Sequence, residues 1–322
     1  MNTSAATPAS TPTAFIGCDV GKSEIVVFDS RTRRSQTLRN TPAGLEEFAQ
    51  HLDAACLAIC EATGGYEAEL LHALAGAGRA VHRADPAKVR AFIRSFGTLG
   101  KTDCIDAQAL AVYGAERHSR LPLWQPPEAA RDRLHELVML RRDLVEDRTA
   151  WHSRAVAPGA AERDGYIRPV LTCLEDSIAA IDADIAAIIA SSQSLRRDAD
   201  ALCEIPGIGL RTAAALLALM PELGSLTRRQ AAALAGLAPH PRQSGASNAY
   251  RRAKGGRPEL KRTLFMPAMV AGKHHPELRA FRQRLLEQGK KPLVVLVAIM
   301  RKLIVIANAV LRDANRRSLV RA

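Results

Sequence analysis

The sequence has no cysteine pairing pattern. Cys18, Cys56, Cys60, Cys104, Cys173 and Cys203 include no CxxC and no pair of pairs at zinc-finger spacing. That argues against a structural zinc site and fits reduced, mostly buried thiols in a cytosolic protein. A secretory leader is also missing. The first fourteen residues, MNTSAATPASTPTA, carry no basic start and no apolar run, so a disordered tail is expected over 1–13. There is no uninterrupted membrane-length run either. PLVVLVAIMRKLIVIANAVL, residues 292–311, is split by Arg301 and Lys302. Neither half reaches the ~20 residues a span needs, so a buried helix is expected and no membrane partner. Acids are in deficit as well: 45 Lys and Arg stand against 33 Asp and Glu, a formal charge of +12. That balance points to a polyanionic partner, above all nucleic acid.

The apolar pattern divides the chain. AFIGCDVGKSEIVVFDS, from Ala14, reads as two β runs joined by a turn at Val20-Gly21-Lys22, and SQTLRN supplies a third. LEEFAQHL has helical spacing, and CLAICEA is a fully apolar fourth strand ending in Glu61. An amphipathic helix, the strand RAVHRA and a helix capped by Asp85-Pro86 follow. A three-strand meander followed by alternating helices and strands is the order of an α/β, ribonuclease H-like domain, expected over 14–125. Beyond residue 128 the β signal disappears. Leu171, Leu174, Ile178, Ile181, Ile185, Ile188, Ser192 and Leu195 alternate steps of three and four, an a/d seam of about three heptads. It predicts a helical coiled-coil linker over 126–200, either between chains or as a bundle within one. A mostly α-helical domain then spans 201–322. In it, the Pro206-Gly207-Ile208-Gly209 turn joins two helices as in a helix-hairpin-helix. Backbone N–H groups around Gly207 and Gly209 could there hold a phosphate, although a plain helix turn has the same sequence.

Four acids interrupt this pattern. Asp19 sits inside an apolar strand, where an unpartnered carboxylate is costly. Glu61 ends the fourth strand. Asp103 and Asp106, in KTDCIDAQAL, are three apart at a helix start and so share one face. In a ribonuclease H-like sheet the first and fourth strands are neighbours, so all four acids could converge. Like charges gathered in this way raise one another's pKa, and a cation reverses that penalty. Mg²⁺ takes carboxylate oxygens and leaves positions for phosphate, and two such ions can hold both oxygens of a phosphodiester exchange. Taken singly, Asp103 and Asp106 also suit a helix N-terminus, and Glu61 suits an exposed strand end. Farther on, APHPRQSGASNAYRRAKGGRPELKRT carries Arg242, Arg251, Arg252, Lys254, Arg257, Lys261 and Arg262 against Glu259 alone. It is the expected phosphate-contacting surface. Ser244 stands at its start, a hydroxyl among cations, with Ser247 as its competitor.

IGCDVGK, CEATGGYE, KTDCIDAQAL, IPGIGLRTA, LAGLAPHPRQSG and RRAKGGRPELKRTLFMPAMVA, in that order between about residues 14 and 312, resemble the DEDD-class insertion-sequence transposases related to the pilin-gene invertase Piv. The resemblance implies a RuvC-like domain, a helical coiled coil and a C-terminal transposase domain. It implies Asp19, Glu61, Asp103 and Asp106 as the metal-binding acids and Ser244 as the nucleophile. It further implies strand exchange between donor and target DNA through a phosphoserine, assisted by Mg²⁺ and programmed by a non-coding bridge RNA. A dimer or tetramer with composite active sites, acting in the bacterial cytoplasm, would follow. The rival reading from the same acids is a RuvC-like nuclease of Holliday-junction type that activates water. An actin-like ATPase is disfavoured because no second phosphate loop accompanies DVGK, and a catalytically dead nucleic-acid scaffold because the acids are intact.

Overall fold

The structure is a computed structural model that describes residues 11–95, 103–126, 128–239, 242–244, 247–249, 253 and 255–321. The chain forms two compact units, residues 1–126 and 127–322.

The first unit is a five-stranded sheet covered by helices on both faces. Its strands are β1 (Ala14–Val20), β2 (Glu24–Asp29), β3 (Arg34–Arg39), β4 (Cys56–Glu61) and β5 (Ala80–Ala84), in spatial order β3-β2-β1-β4-β5. The first three are antiparallel, while β4 runs parallel to β1 and β5 parallel to β4. The meander and the β1–β4 adjacency expected from the sequence are both present. β3 is polar and exposed, which suits a sheet edge. Helices α1 (Pro42–His51), α2 (Ala68–Gly76), α3 (Pro86–Ser95) and α4 (Asp103–Arg117) complete the unit. Thr41 Oγ1 accepts from the Gly44 N–H at the start of α1, and Asp85 Oδ1 accepts from Ala87 N–H at 2.8 Å at the start of α3. Both caps satisfy donors that a helix start leaves open.

Strand alternation divides the core in two. Ala14, Ile16, Cys18, Ala58 and Cys60 pack with Leu45, Leu70 and Leu74 of α1 and α2. Leu57 and Ile59 face the other way, onto Phe92, Leu110 and Tyr113 of α3 and α4. Gly17 is required where α4 crosses β1, since a Cβ there would sit 1.8 Å from the Ala107 carbonyl oxygen. Burial pushes the Cys18 thiol well above its usual range, with Cys60 and Asp19 adding to the effect. It pushes Cys60 to about 12, so neither is a thiolate.

The second unit is helical: α5 (Ala129–Ala155), α6 (Asp164–Ser191), α7 (Gln193–Cys203), α8 (Leu210–Leu219), α9 (Arg228–Leu234), α10 (Pro258–His274), α11 (Pro276–Glu287) and α12 (Pro292–Arg321), with a hairpin of β6 (Arg242–Ser244) and β7 (Ser247–Ala249). α5 and α6 are an antiparallel pair. Ile181, Ile185 and Ile189 share one core with Leu134, Leu137 and Val138, and Arg141 grips Asp182 at 2.6 Å. The predicted seam is therefore filled, from Ile178 onward, inside the chain's own helical unit. The pair belongs to the same compact unit as the helices that follow.

The Pro206–Gly209 turn joins α7 to α8. Gly207 (φ +98°) lies against α10, where a Cβ would meet Pro267 O at 2.6 Å and Ala271 N at 2.9 Å. Close helix packing accounts for that glycine. Gly209 is the exposed N-cap of α8. The Thr227–Gln230 capping box at α9 is formed on both sides. α12 is long and apolar enough to cross a membrane by length and composition alone. Its Val295, Ile299, Leu303, Ile304, Ala307 and Leu311 are nonetheless buried in the core of this unit, as expected for 292–311.

Candidate active site and nucleic-acid surface

Cys18 pairs with Cys60 in the parallel β1–β4 ladder. Asp19 and Glu61 are the next residue on each strand. Because side chains alternate, both leave the sheet on the face opposite the two buried cysteines. That is the face α4 covers. α4 runs antiparallel to β1: Gly114 lies against Ile59 and Phe15, while Ala107 and Ala111 lie against Gly17. Asp103 is one turn before Ala107, a rise of about 6 Å, and Asp19 lies two strand residues beyond Gly17, about 6.6 Å. Cys104, in the first turn of α4, lies 3.0 Å, Sγ to Oγ, from Ser35 of β3, so α4 starts over the β3 side of this face. Asp103 is exposed there and Asp106 is half-buried. Asp19 and Glu61 lie side by side on that face, and Asp103 and Asp106 begin the helix that covers it.

Within that region the side chains are not drawn tightly together. Among the described residues, no three His, Cys, Asp or Glu groups converge closely enough to share one ion. The donor set still fits a hard divalent cation: carboxylate oxygens only, on two strand ends and one helix start, with the sulfur atoms of Cys18 and Cys60 on the opposite face. Carboxylates at such a place repel one another, and only a counter-charge makes a close approach favourable.

Two residues that sequence reasoning passed over hold the loops beyond the acids. Glu67, 1% exposed, accepts from Thr63 N–H and Gly65 N–H, each at 3.0 Å. Arg83 of β5 donates to its other oxygen at 2.9 and 2.6 Å. Burial alone would push this carboxyl up, but backbone hydrogen bonds and Arg83 outweigh it and hold it below the usual range. Asn40 Nδ2 donates to Gly21 O at 2.9 Å and Tyr66 O at 3.3 Å. It thereby ties the turn after Asp19 to the loop after Glu61. The second glutamate of CEATGGYE was the available sequence signal for the first clamp, while nothing local marks Asn40.

In the helical unit, Ser244 and Ser247 face each other in register at the end of the β6–β7 hairpin. The hairpin's base is closed by a Pro239–Ala253 bridge and by Gly256 crossing Gly236, where a Cβ on Gly256 would lie 2.2 Å from Gly236 N. The two glycines of KGGRP allow that crossing. Arg242 belongs to β6, whereas Arg251, Arg252 and Lys254 lie outside the described residues. Arg257 is engaged internally: it donates to both oxygens of Glu222, at 2.9 and 2.6 Å, and to Leu219 O at 2.7 Å. Burial pushes the Glu222 carboxyl up, but Arg257 outweighs that and lowers it. Arg262 pairs with Glu146 at 2.8 Å on the surface. Lys261 instead borders a groove of about 940 Å³ walled by the outer face of α12, together with Arg228, Arg229, Arg301 and Lys302. The Arg-Arg start of α9 and the Arg-Lys break in α12 were its sequence signals.

An acid-bearing, sheet-centred unit followed by a basic helical unit is an arrangement suited to an enzyme that acts on DNA. The comparisons agree. Residues 16–157 match the transposase model of the DEDD type from IS110 elements, and residues 199–283 match the model described as the IS116/IS110/IS902 transposase family. The chain is 32% identical over 315 residues to a pilin gene-inverting protein of Moraxella lacunata, covering 93% of this chain and 96% of that protein. It is 32% identical over 318 residues to its counterpart in Moraxella bovis, with the same coverage. An uncharacterized 43.6 kDa protein of insertion element IS110 from Streptomyces coelicolor is 30% identical over 200 residues, 58% of this chain and 48% of its own length. The chain belongs to the IS110 family of transposases and DNA recombinases.

Proposed function

We propose that this transposase exchanges DNA strands through a covalent phosphoserine, with Asp19, Glu61, Asp103 and Asp106 holding Mg²⁺ and Ser244 attacking the DNA. The placement of the β1 and β4 ends side by side, on the face covered by the helix that Asp103 and Asp106 begin, is the observation that supports the metal-site part. When bound, one or two Mg²⁺ ions supply positive charge at the attacking and leaving oxygens of the phosphodiester. Ser244 Oγ bonds to phosphorus as the P–O bond to the leaving strand breaks, and the serine proton ends, through solvent, on the oxygen of the leaving strand. Arginines of the same loop neutralise the non-bridging oxygens. The ester keeps the energy of the broken bond, so a hydroxyl from another strand reverses the step and completes the exchange without ATP.

Donor and target DNA are the substrates. A non-coding bridge RNA that pairs with both is supported by the family resemblance. A dimer or tetramer, in which the serine of one protomer meets the acids of another, has the same support. A DNA substrate goes with a place of action in the bacterial cytoplasm. Lys261, Arg228, Arg229, Arg301 and Lys302, around the mostly apolar groove beside α12, are the cations of the helical unit proposed to meet the phosphate backbone.

One observation favours a second reading. All four acids lie in the first unit, so water activation there would make a nuclease that needs nothing from Ser244. Denaturing gels separate the two mechanisms. A protein–DNA adduct should form with Mg²⁺ and disappear in Ser244→Ala. Cleavage that persists in Ser244→Ala with no adduct at any time would establish the nuclease instead. Full strand exchange by Asp19→Ala would remove the metal-site assignment.

A further inference from the structure

Between β4 and α2, immediately after Glu61, the segment Ala62–Glu67 is pinned from two sides. The buried Glu67 carboxylate holds the Thr63 and Gly65 amides and is itself fixed by Arg83. Asn40 holds the Tyr66 carbonyl and, through Gly21, the turn that follows Asp19. Gly64 (φ +70°) and Gly65 (φ +105°) are left-handed. Both are exposed, with no atom within 4 Å of where a Cβ would stand, so a ligand can approach the bare backbone. Tyr66 is 49% exposed. A ring left in water on an otherwise immobilised loop, one hydrogen-bonding residue away from both acid-bearing strand ends, is arranged for a partner with a flat face.

We propose that Tyr66 stacks on an unpaired base of the DNA beside the scissile phosphate, with Gly64 and Gly65 admitting the sugar–phosphate backbone. The inference rests on the acid-site reading above and names the part of the substrate that this edge of the site recognises. Every base has a π face, so such a contact tolerates any sequence. A tyrosine ring brings a large contact area with few torsions to freeze, and the clamped backbone lowers that cost further. Bases in an intact duplex are stacked on each other and cannot take the ring, so the contact selects single-stranded or branched strands, as arise during exchange.

The test uses the full chain and a 30-nucleotide single strand carrying 5-iododeoxyuridine in place of thymidine, with the matching duplex as control. Ultraviolet irradiation should cross-link the single strand to the peptide containing Tyr66, and the duplex much less. Tyr66→Ala and Tyr66→Leu should lose that cross-link and bind the single strand about 5- to 100-fold more weakly at fixed salt, whereas Tyr66→Trp should keep both. Leu retains apolar bulk without a π face, so loss in Leu and retention in Trp mark stacking rather than general packing. Asp19→Asn should still cross-link while losing strand exchange. An active Asp19→Asn with the cross-link intact would overturn the acid site alone. A cross-link that maps to another segment, or single-strand binding by Tyr66→Ala equal to that of the parent, would overturn the role of Tyr66.

Discussion

Gly17→Ala tests the packing that gives the acid site its shape. An added Cβ would stand 1.8 Å from Ala107 O and 2.7 Å from Ala111 N, both backbone atoms. Ordinary contact begins near 3.4 Å, so α4 would have to rise by about 1.6 Å or tilt off β1. Overpacking of this kind costs about 1–3 kcal/mol. With a urea m-value of about 1–3 kcal/mol/M, the unfolding midpoint of the first unit should fall by ~1 M. Trp124 fluorescence in a Trp151→Phe background follows that unit, because these are the two tryptophans of the chain. The same displacement carries Asp103 and Asp106 away from Asp19 and Glu61. A shift of ~1 Å in reacting groups costs about 100-fold in rate, and the Mg²⁺ concentration for half-maximal strand exchange should rise. Gly114→Ala is the comparison: its Cβ would meet the end of the Ile59 side chain at 2.3 Å, which can turn aside, so the loss should be smaller. An unchanged midpoint and an unchanged Mg²⁺ requirement in Gly17→Ala would refute the seating of α4 on β1.

Glu67→Gln should lower stability by about 1–3 kcal/mol near neutral pH, because it leaves Arg83 without its charge partner. Its carboxyl is held below the usual range in the folded state. Its contribution is therefore full above the unfolded pKa near 4.5 and is lost as pH falls through the folded value. The difference between Glu67→Gln and the parent should shrink on acidification, and a gap that widened would contradict the clamp. Arg257→Gln should destabilise the helical unit, through unpaired Glu222 and Leu219 O, more than it changes DNA binding. Lys261→Gln should instead reduce the slope of log affinity against log salt by about 1, and equal slope changes in both variants would show that Arg257 contacts phosphate. Asn308→Leu should cost about 2–4 kcal/mol by thermal or urea unfolding. The buried amide accepts from Gly224 N–H at 2.9 Å and donates to Leu226 O at 2.8 Å. A stability equal to the parent's would show that water replaces it.

Much of the first unit could be read from the chain because its signals are local. The alternation in AFIGCDV and EIVVFD, the apolar run CLAICE and the Asp85-Pro86 cap are each written within a few residues. An acid inside an apolar strand marked Asp19 without any knowledge of its neighbours. The basic tract was legible as a surface, but its residues turned out unlike one another. Arg257 grips Glu222, 35 residues away, and Arg262 meets Glu146, 116 residues away. Composition cannot separate a cation that already has a partner from one that borders a groove.

By itself, the sequence determined the order of strands and helices, the four acids and their positions at element ends, and the excess of positive charge. Those follow from backbone and side-chain preferences acting over a turn or a strand. Only the tertiary structure decided that the seam of α6 closes on α5 of the same chain, that Gly207 serves α10, and that Asn40 and Glu67 hold the loops after Asp19 and Glu61. Periodicity states that a face must be covered, and a polar residue states that it needs a partner. Which group supplies either one is settled when distant segments meet, and that choice depends on packing across the whole unit.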